Sequence, residues 1–429
     1  MIDIKILREN PELILDNLKK KFQEDKLPLV KRILKFDGDW RKEKYVVDKL
    51  RSERNKISEQ INQLMKSKKK EEAKVLIIEA KKIPDKIEKH EAKMKMLRIK
   101  LDETLSKIPN FISDETPIGK DDSENVVEKV IGGAKVPDFE VKNHVELTES
   151  LGISDFESSA KVAGKGFYYL EGDLALLNQA LITFAIKKMT EKGFRYVETP
   201  LMVNRKVINN VTDLNDQQNM VYKIEGEELF LIGTSEHSLI GRFIEEEISE
   251  KKLPIKHTSY SMCFRREVGS HGLDERGLFR THQFNKVEMI VICKPEESES
   301  YFKELQNITL EIFKELEIPT RVLRICSGDL GDLKKDQVDI EAWSPRRKAY
   351  FEVGSCSNLT DAQARKLKIT TRIKGERITP HTLNNTAIAT SRALVAILEN
   401  NQNKDGSITI PKVLQDYMGG KKKIEVQKG

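Results

Sequence analysis

The sequence predicts an α+β fold preceded by a long helical arm, and three observations carry that expectation. The first quarter holds apolar residues spaced alternately by three and four. The remainder mixes helical runs with short strand-like ones. One stretch, residues 263 to 292, alternates side-chain character on both sides of a glycine-containing turn.

From Trp40 the chain is dense in Lys, Glu and Arg and poor in glycine. Ala73, Leu76, Ala80, Ile83, Ile87, His90, Met94, Leu97 and Leu101 form the a/d seam of a coiled coil. Val47, Leu50, Ile57, Ile61 and Leu64 keep the same spacing upstream, with polar Arg54 at one seam place. KSKKK, at 66 to 70, separates the two runs. Together they predict an antiparallel helical hairpin over about 40–104 with a lysine-rich tip. Helices of roughly 25–35 residues would reach about 40–50 Å. Pro84 lies inside the second run, where it must kink the helix or mark the start of its regular part. Taken alone, such a hairpin reads as a dimerisation rod and its tip as a solvated charge run.

The pattern stops near Pro109, and SDETPIGKDDSEN, 113 to 125, reads as a linker. Domains are therefore expected over 1–112 and 113–429. In the second, helices are expected over 174–193, 239–251 and 299–318, and strands over 228–232, 287–292 and 350–353. In the alternating stretch, Cys263, Arg265 and Glu267 share one parity before the turn. Arg280, His282, Phe284, Lys286 and Glu288 share one after it. Strands send alternate side chains to one face, so arginines, acids and an aromatic collect there. Val287, Met289 and Val291, on the opposite face, suit a core.

The 429 residues carry Lys+Arg 75 against Asp+Glu 69, a net charge of +6 that permits a nucleic-acid partner without demanding one. Cys263, Cys293, Cys326 and Cys356 are far apart and form no CxxC pair. No disulfide framework or structural zinc is expected, and the compartment is expected to be reducing. MIDIKILREN lacks an apolar run after a basic start, so no signal peptide is expected. No window approaches the roughly 18 apolar residues of a membrane helix, so no membrane partner is expected.

The sequence holds no GxxxxGK[ST], no strand-borne GxGxxG, no HExxH and no GxSxG. Phosphates would have to be held by side chains, and arginine pairs with two oxygens at once. Three further stretches extend the polar face. FLIGTSEHSLIG (230 to 241) places Thr234 and Glu236 at a strand end before a helix. YFEVGSCSNLTDAQARK (350 to 366) places Glu352 and Ser355 where a strand breaks into small residues. HTLNNTAIATSRALVAILENNQ (381 to 402) runs from a polar segment into an apolar helix bearing Arg392 near its start.

These stretches resemble the motifs of the class II aminoacyl-tRNA synthetases. GFRYVETPLMV (193 to 203) is similar to motif 1, residues 263 to 292 to motif 2, and residues 381 to 402 to motif 3. GTSE, HQFNKVEM, EVGSCSNLTDAQARK and the helical hairpin resemble the seryl-tRNA synthetase family within that class. The resemblance covers nearly the whole chain. It implies a catalytic domain built on an antiparallel sheet flanked by helices, and ATP-dependent attachment of L-serine to serine tRNA through a seryl-adenylate. It leaves selenocysteine tRNA open as a second acceptor. It further implies a homodimer, cytoplasmic location, and recognition of the tRNA's long variable arm by the coiled coil.

The resemblance also implies roles for residues. Arg265 would grip the α-phosphate and the serine carboxylate, Glu267 would meet the adenine side, and Phe284 and Arg392 would cover the two adenine faces. Arg280 and Arg392 would reach the terminal phosphates, and Val353 and Gly354 would add ATP contacts. Glu352 and Ser355 would ligate Mg²⁺ through hard oxygens. Thr234, Glu236, Glu288 and Thr386 would surround the serine with Arg265. Arg265, Glu267 and Arg392 are the catalytic candidates. Arg266 and Arg276 are read as solvent or tRNA contacts, His237, His271 and His282 as structural hydrogen bonders, and Cys356 as packing. The chain departs from the resembled motif 3 at Asn385-Thr386, where Gly-Ser is common, and at Ser391, where glycine is common. Two rivals are an adenylate-forming paralogue that serves a carrier protein and a catalytically inactive RNA-binding protein. The arm argues against the first, and the joint presence of Arg265, Glu288, Glu352 and Arg392 against the second.

Overall fold

The structure is a computed structural model and describes residues 2–213, 219–267 and 277–425. The chain forms two compact units, Ile2–Pro109 and Asn110–Gly429.

The first unit is helical: α1 (Ile4–Glu9), α2 (Pro11–Lys20), α3 (Leu27–Lys66), α4 (Lys70–Ala80) and α5 (Ile83–Leu105). At 40 residues, α3 begins well before Trp40 and exceeds the expected length. Pro28 sits in its first turn, where the missing N–H has no intrahelical partner to lose. Such a helix is about 60 Å long. The seam forms as its spacing predicts: Val47, Ile57, Ala73, Ile83, Ile87, Leu97 and Leu101 are all buried. Pro84 marks a beginning rather than a kink, since the chain leaves helix after Ala80 and restarts at Ile83 with the proline in the first turn. A polar layer at Glu43 and His90 interrupts the apolar pattern. The Glu43 carboxylate lies between His90 Nδ1 at 2.6 Å and Lys93 Nζ at 2.5 Å.

The second unit is organised by an eight-stranded sheet. In chain order its strands are β1 (Val126–Ile131), β2 (Arg195–Tyr196), β3 (Ile255–Phe264), β4 (Gln283–Cys293), β5 (Thr320–Arg324), β6 (Asp336–Ser344), β7 (Ala349–Thr360) and β8 (His381–Ala389). Across the sheet they run β1-β5-β6-β7-β8-β4-β3-β2, and every neighbouring pair is antiparallel except β2 beside β3. Helices α6 (Gly172–Glu191), α7 (Arg205–Val211), α8 (Glu236–Gly241), α9 (Ser298–Glu315), α10 (Ala362–Leu367) and α11 (Thr390–Asn400) pack around it.

β4 shows how one sequence pattern serves both core and site. Val287, Met289 and Val291 lie in the main core with apolar residues of α6, α9 and α11. Burying each contributes about 1.5–3 kcal/mol. On the other parity, Ile290 and Ile292 enter a second core with Leu239 and Ile240 of α8. Phe284, Lys286 and Glu288, closer to the turn, line a cavity instead.

Two expectations are corrected. The helix expected over 239–251 ends at Gly241. Glu245 then turns at φ 60, and Glu247–Ile248 pair in parallel with Thr370–Thr371, so sheet pairing overrides local helix propensity. Residues 113–125 are also no free linker. Ser113 N donates to Lys335 O at 2.9 Å, Ser327 N to Pro117 O at 2.8 Å, and Gly328 N to Gly119 O at 2.8 Å. A Cβ on Gly328 would lie 2.2 Å from the Lys120 oxygen, so only glycine permits this approach.

Candidate active site

A cavity of about 360 Å³ opens on the sheet, and every residue nominated from the sequence lines it: Thr234, Glu236, Arg265, Glu267, Arg280, Phe284, Glu288, Glu352, Val353, Gly354, Ser355, Thr386 and Arg392. His237, read from the sequence as a structural hydrogen bonder, also lines it. His271 and Arg276 lie outside the described residues.

Strand register accounts for the convergence. Cys263 opposes Phe284, Ser261 opposes Lys286 and Ser259 opposes Glu288, so the expected β3–β4 pairing forms. Arg265, Glu267, Arg280 and His282 lie just beyond the strand ends. Glu267 takes φ 46, a left-handed conformation uncommon for a side-chain-bearing residue and characteristic of functional loops. Its carboxylate meets Arg280 Nη1 at 3.3 Å.

Two bulges re-aim the other ligating groups. In β7, Ile340 pairs with Gly354 but Glu341 with Glu352, leaving Val353 as the extra residue. Glu352 and Ser355 are three apart and would face opposite sides of a regular strand. The bulge lets both line the cavity. In β8, Thr386 pairs with Glu288 but Ile388 with Val287, leaving Ala387 extra. Thr386 Oγ1 donates to Glu288 Oε2 at 3.3 Å.

Several of the cavity cations are held in ion pairs with cavity carboxylates, whereas Lys334 Nζ donates to Gln337 Oε1 at 2.7 Å. Arg392 Nη1 meets Glu352 Oε2 at 3.0 Å, and Lys286 Nζ meets Glu288 Oε2 at 2.6 Å. Arg265 has no such ion pair among the described residues. Its Nε donates to Gly233 O at 3.3 Å, and its guanidinium lies 5.2 Å from the Phe284 ring centroid. Arg392 sits over Phe279 rather than Phe284, 5.3 Å from its centroid. Burial, with the Glu288 charge beside it, pushes Glu236 up to about 7, against a hydrogen bond from Gln363. Burial pushes Asp339 up to about 7, with Glu352 as the second cause. Burial pushes Glu352 upward too, but Arg392 and then Arg265 overcome it and hold the carboxylate below its usual range. That carboxylate is crowded by the wall and yet 45% accessible from the cavity.

His237 is pushed down to about 3, by burial and then by Lys286 and Arg265, so it is neutral at pH 7 and a weak base. Its Nδ1 makes no hydrogen bond among the described residues, so the structural bonding expected of it is not found. His282 does bond structurally, with Nδ1 2.9 Å from Arg265 O and 3.1 Å from the Tyr222 hydroxyl. Cys356 packs in the core as expected, and all four cysteines are free and buried.

Several cavity residues were not singled out from the sequence. Lys286 stood in the alternating face, and its buried pairing with Glu288 is the reason for its parity. Gln337 and Asp339 share a parity in QVDIEAW, a signal available in the sequence but without a motif to flag it. Phe279 precedes the strand and carries no periodic signal.

The donor set at Glu352 suits a hard divalent cation. Ser355 Oγ is buried with no well-formed hydrogen bond among the described residues, although it lies near enough to the Asp339 carboxyl to lower its proton affinity. With the open Glu352 carboxylate it offers oxygens only, and no group of three or more His, Cys, Asp or Glu among the described residues could hold a metal ion by itself. Few protein ligands and hard oxygens fit Mg²⁺ shared with phosphates.

A family model described as tRNA synthetase class II core domain (G, H, P, S and T) matches residues 220–401, and one described as Seryl-tRNA synthetase N-terminal domain matches residues 1–112. A serine-tRNA ligase of Methanocella arvoryzae is 46% identical over 98% of this chain and 99% of its own length. One of Pyrococcus horikoshii is 42% identical over 100% of this chain and 98% of its own. The solved structure of seryl-tRNA synthetase from Pyrococcus horikoshii complexed with ATP superposes with a TM-score of 0.93, covering 100% of both chains at 42% identity. Cytoplasmic serine-tRNA ligase from Naegleria fowleri in complex with AMP superposes with a TM-score of 0.88 over 100% of this chain and 99% of its own, at 30% identity. Arm, sheet, cavity and full-length similarity agree, and the chain belongs to the seryl-tRNA synthetase family of class II aminoacyl-tRNA synthetases.

Proposed function

We infer that this chain activates L-serine with ATP and transfers it to serine tRNA, and that the cavity residues divide the work as follows. The observation that carries this reading is Arg265. It is a cavity cation without an ion pair among the described residues, between the Thr234–Glu236 side and the Glu352 side. A serine carboxylate and an α-phosphate brought together there both meet its guanidinium. The serine carboxylate attacks the α-phosphorus and pyrophosphate leaves; the terminal ribose hydroxyl of tRNA then attacks the seryl carbonyl carbon, and AMP leaves as the acyl–phosphate bond breaks. Positioning and charge neutralisation drive both steps, so no protein nucleophile is required.

Glu236 and Glu288 face the serine ammonium, and Thr234 and Thr386 bring hydroxyls to the same pocket. Phe284 offers its ring to adenine once Arg265 turns to the phosphate, Glu267 meets the adenine edge, and Arg280 and Arg392 take the outer phosphates. Val353 and Gly354 present the bulged backbone. Glu352 and Ser355 would hold Mg²⁺, which would neutralise triphosphate oxygens. Residues 1–112 form the tRNA-binding domain and 113–429 the catalytic domain of a cytoplasmic homodimer, in which the lysine-rich hairpin of one subunit grips the long variable arm of a tRNA. A carrier-protein acceptor and an inactive scaffold find no support in the full-length relatives. No described helix is long and apolar enough to cross a membrane.

The test is serine-dependent exchange of labelled pyrophosphate into ATP. A site that hydrogen-bonds a hydroxyl leaves polar groups unpaired when that hydroxyl is missing, so alanine should support roughly 10⁴-fold less exchange. Equal exchange with both amino acids would overturn the serine assignment.

A further inference from the structure

We propose that Gln363, which does not line the cavity, is the positioning residue for the Glu236 carboxylate and so for the substrate ammonium group. This rests on the reading of Glu236 as a serine contact. Gln363 is the second residue of α10 and has no exposed surface. Its amide reaches three separate elements. Nε2 donates to Glu236 Oε1, the first residue of α8, at 2.8 Å, and to the carbonyl of Val211, the last residue of α7, at 3.2 Å. Oε1 accepts from the Thr382 hydroxyl of β8 at 3.0 Å.

These partners fix which way the amide points. Reversed, its oxygen would face both a carbonyl and a carboxylate, and its NH₂ would face a hydroxyl. Only the observed orientation gives both acceptors a donor. The Thr382 hydroxyl thus acts as a latch at the far end of a chain running Thr382 to Gln363 to Glu236.

The chemistry explains why an amide suits this place. Glu236 sits beside a second carboxylate, Glu288, and away from bulk water. A donor is needed to hold it in one rotamer and to favour its ionised form. A lysine or arginine there would supply that donor but would also neutralise the charge, leaving less to attract the serine ammonium. An amide orients Glu236 Oε1 without adding charge. Among the described residues Oε2 makes no hydrogen bond, and the side chain lines the cavity. Lys286 does not duplicate the task, because its ammonium is paired with Glu288.

The experiment compares Gln363→Met with the parent in pyrophosphate exchange, fitting KM for serine and for ATP separately. Loss of one charge-assisted hydrogen bond should raise the serine KM roughly 10- to 100-fold and leave the ATP KM within about twofold. Thr382→Val keeps side-chain shape and removes only the latch, and should raise the serine KM by roughly threefold with the ATP KM unchanged. It carries the test if Gln363→Met fails to fold. In a Glu236→Ala background the Gln363→Met change should have no further effect on the serine KM, since residues acting through one contact are not additive. Additive losses, or equal rises in both KM values, would overturn the positioning role while leaving Glu236 as a serine contact. An unchanged serine KM in Glu236→Ala itself would overturn that underlying reading and the proposal with it.

Discussion

Ile57 and Ile83 fall in one buried cluster of the arm because each helix repeats apolar residues at threes and fours, so their contact surface is written twice in one dimension. Glu288 and Thr386 meet in the cavity because β4 and β8 are neighbours in a sheet, although 98 residues separate them. The first contact can be read off a window of sequence. The second depends on strand order and register, which no window contains. The comparison implies that the arm can be altered without disturbing the cavity, whereas single side chains in the catalytic unit carry consequences for both stability and chemistry.

The largest expected effect tests the arm's side. Removing residues 44 to 89 would leave Glu43 and His90, now 2.6 Å apart, as the closing pair for a short turn. Pyrophosphate exchange should stay within about twofold of the parent. Charging of serine tRNA should fall by roughly 10³-fold or more, the scale of losing several lysine–phosphate contacts, and the parent's charging should itself weaken steeply with salt. A deletion that charges tRNA normally would reduce the arm to a rod.

The next two effects test the catalytic side. Lys286→Met strands the Glu288 carboxylate, whose side chain is 2% exposed, without its only ion-pair partner among the described residues. Losing one member of a buried pair costs about 3–5 kcal/mol, which a denaturant titration of the full chain would detect. Unchanged stability would mean that the pair is better solvated than its burial indicates. Arg265→Ala should do the opposite. Its guanidinium lies at the cavity wall with a single hydrogen bond to the described residues, so stability should change little. Exchange should drop on the order of 10²–10³-fold, because a cation aimed at developing negative charge is lost. Arg265→Lys should recover only part, since an ammonium cannot make the two-pronged contact.

The same contrast explains what could be read from the sequence. Seam residues of the arm, the apolar face of β4 and the polar face opposite were legible because they follow a fixed period. The helix expected over 239–251 was not, since pairing of Glu247–Ile248 with Thr370–Thr371 is decided by residues more than a hundred positions away. Glu352 and Ser355 were placed at a strand break, and their joint role came from a resemblance. Their spacing alone would have put them on opposite faces, and only the extra residue Val353 in the β6–β7 register brings them together. Asp339 and Gln363 escaped notice for a related reason. Asp339 shares a strand parity with Gln337 and Gln363 lies within the quoted stretch 350 to 366, but each becomes meaningful only beside partners on other elements.

The smallest effect sharpens the arm's side, at a polar layer of the seam. Glu43 is nearly covered within the hairpin, but its partners His90 and Lys93 are 34% and 56% exposed, so water screens the cluster. Hydrogen bonds from His90 and then Lys93 hold the Glu43 carboxyl below its ordinary range. A carboxyl whose folded value lies below its unfolded one stabilises the fold fully above the unfolded value, about 4.3. That contribution fades as the pH falls through the folded value. Glu43→Gln should therefore weaken the arm by no more than about 1 kcal/mol at pH 7, as expected for a screened ion pair. The difference from the parent should shrink below about pH 4 and at high salt. Amide hydrogen exchange along α3 and α5 reads this local stability without requiring the second unit to unfold. A difference that persisted unchanged at pH 3 would assign the effect of Glu43 to packing in the seam rather than to its charge.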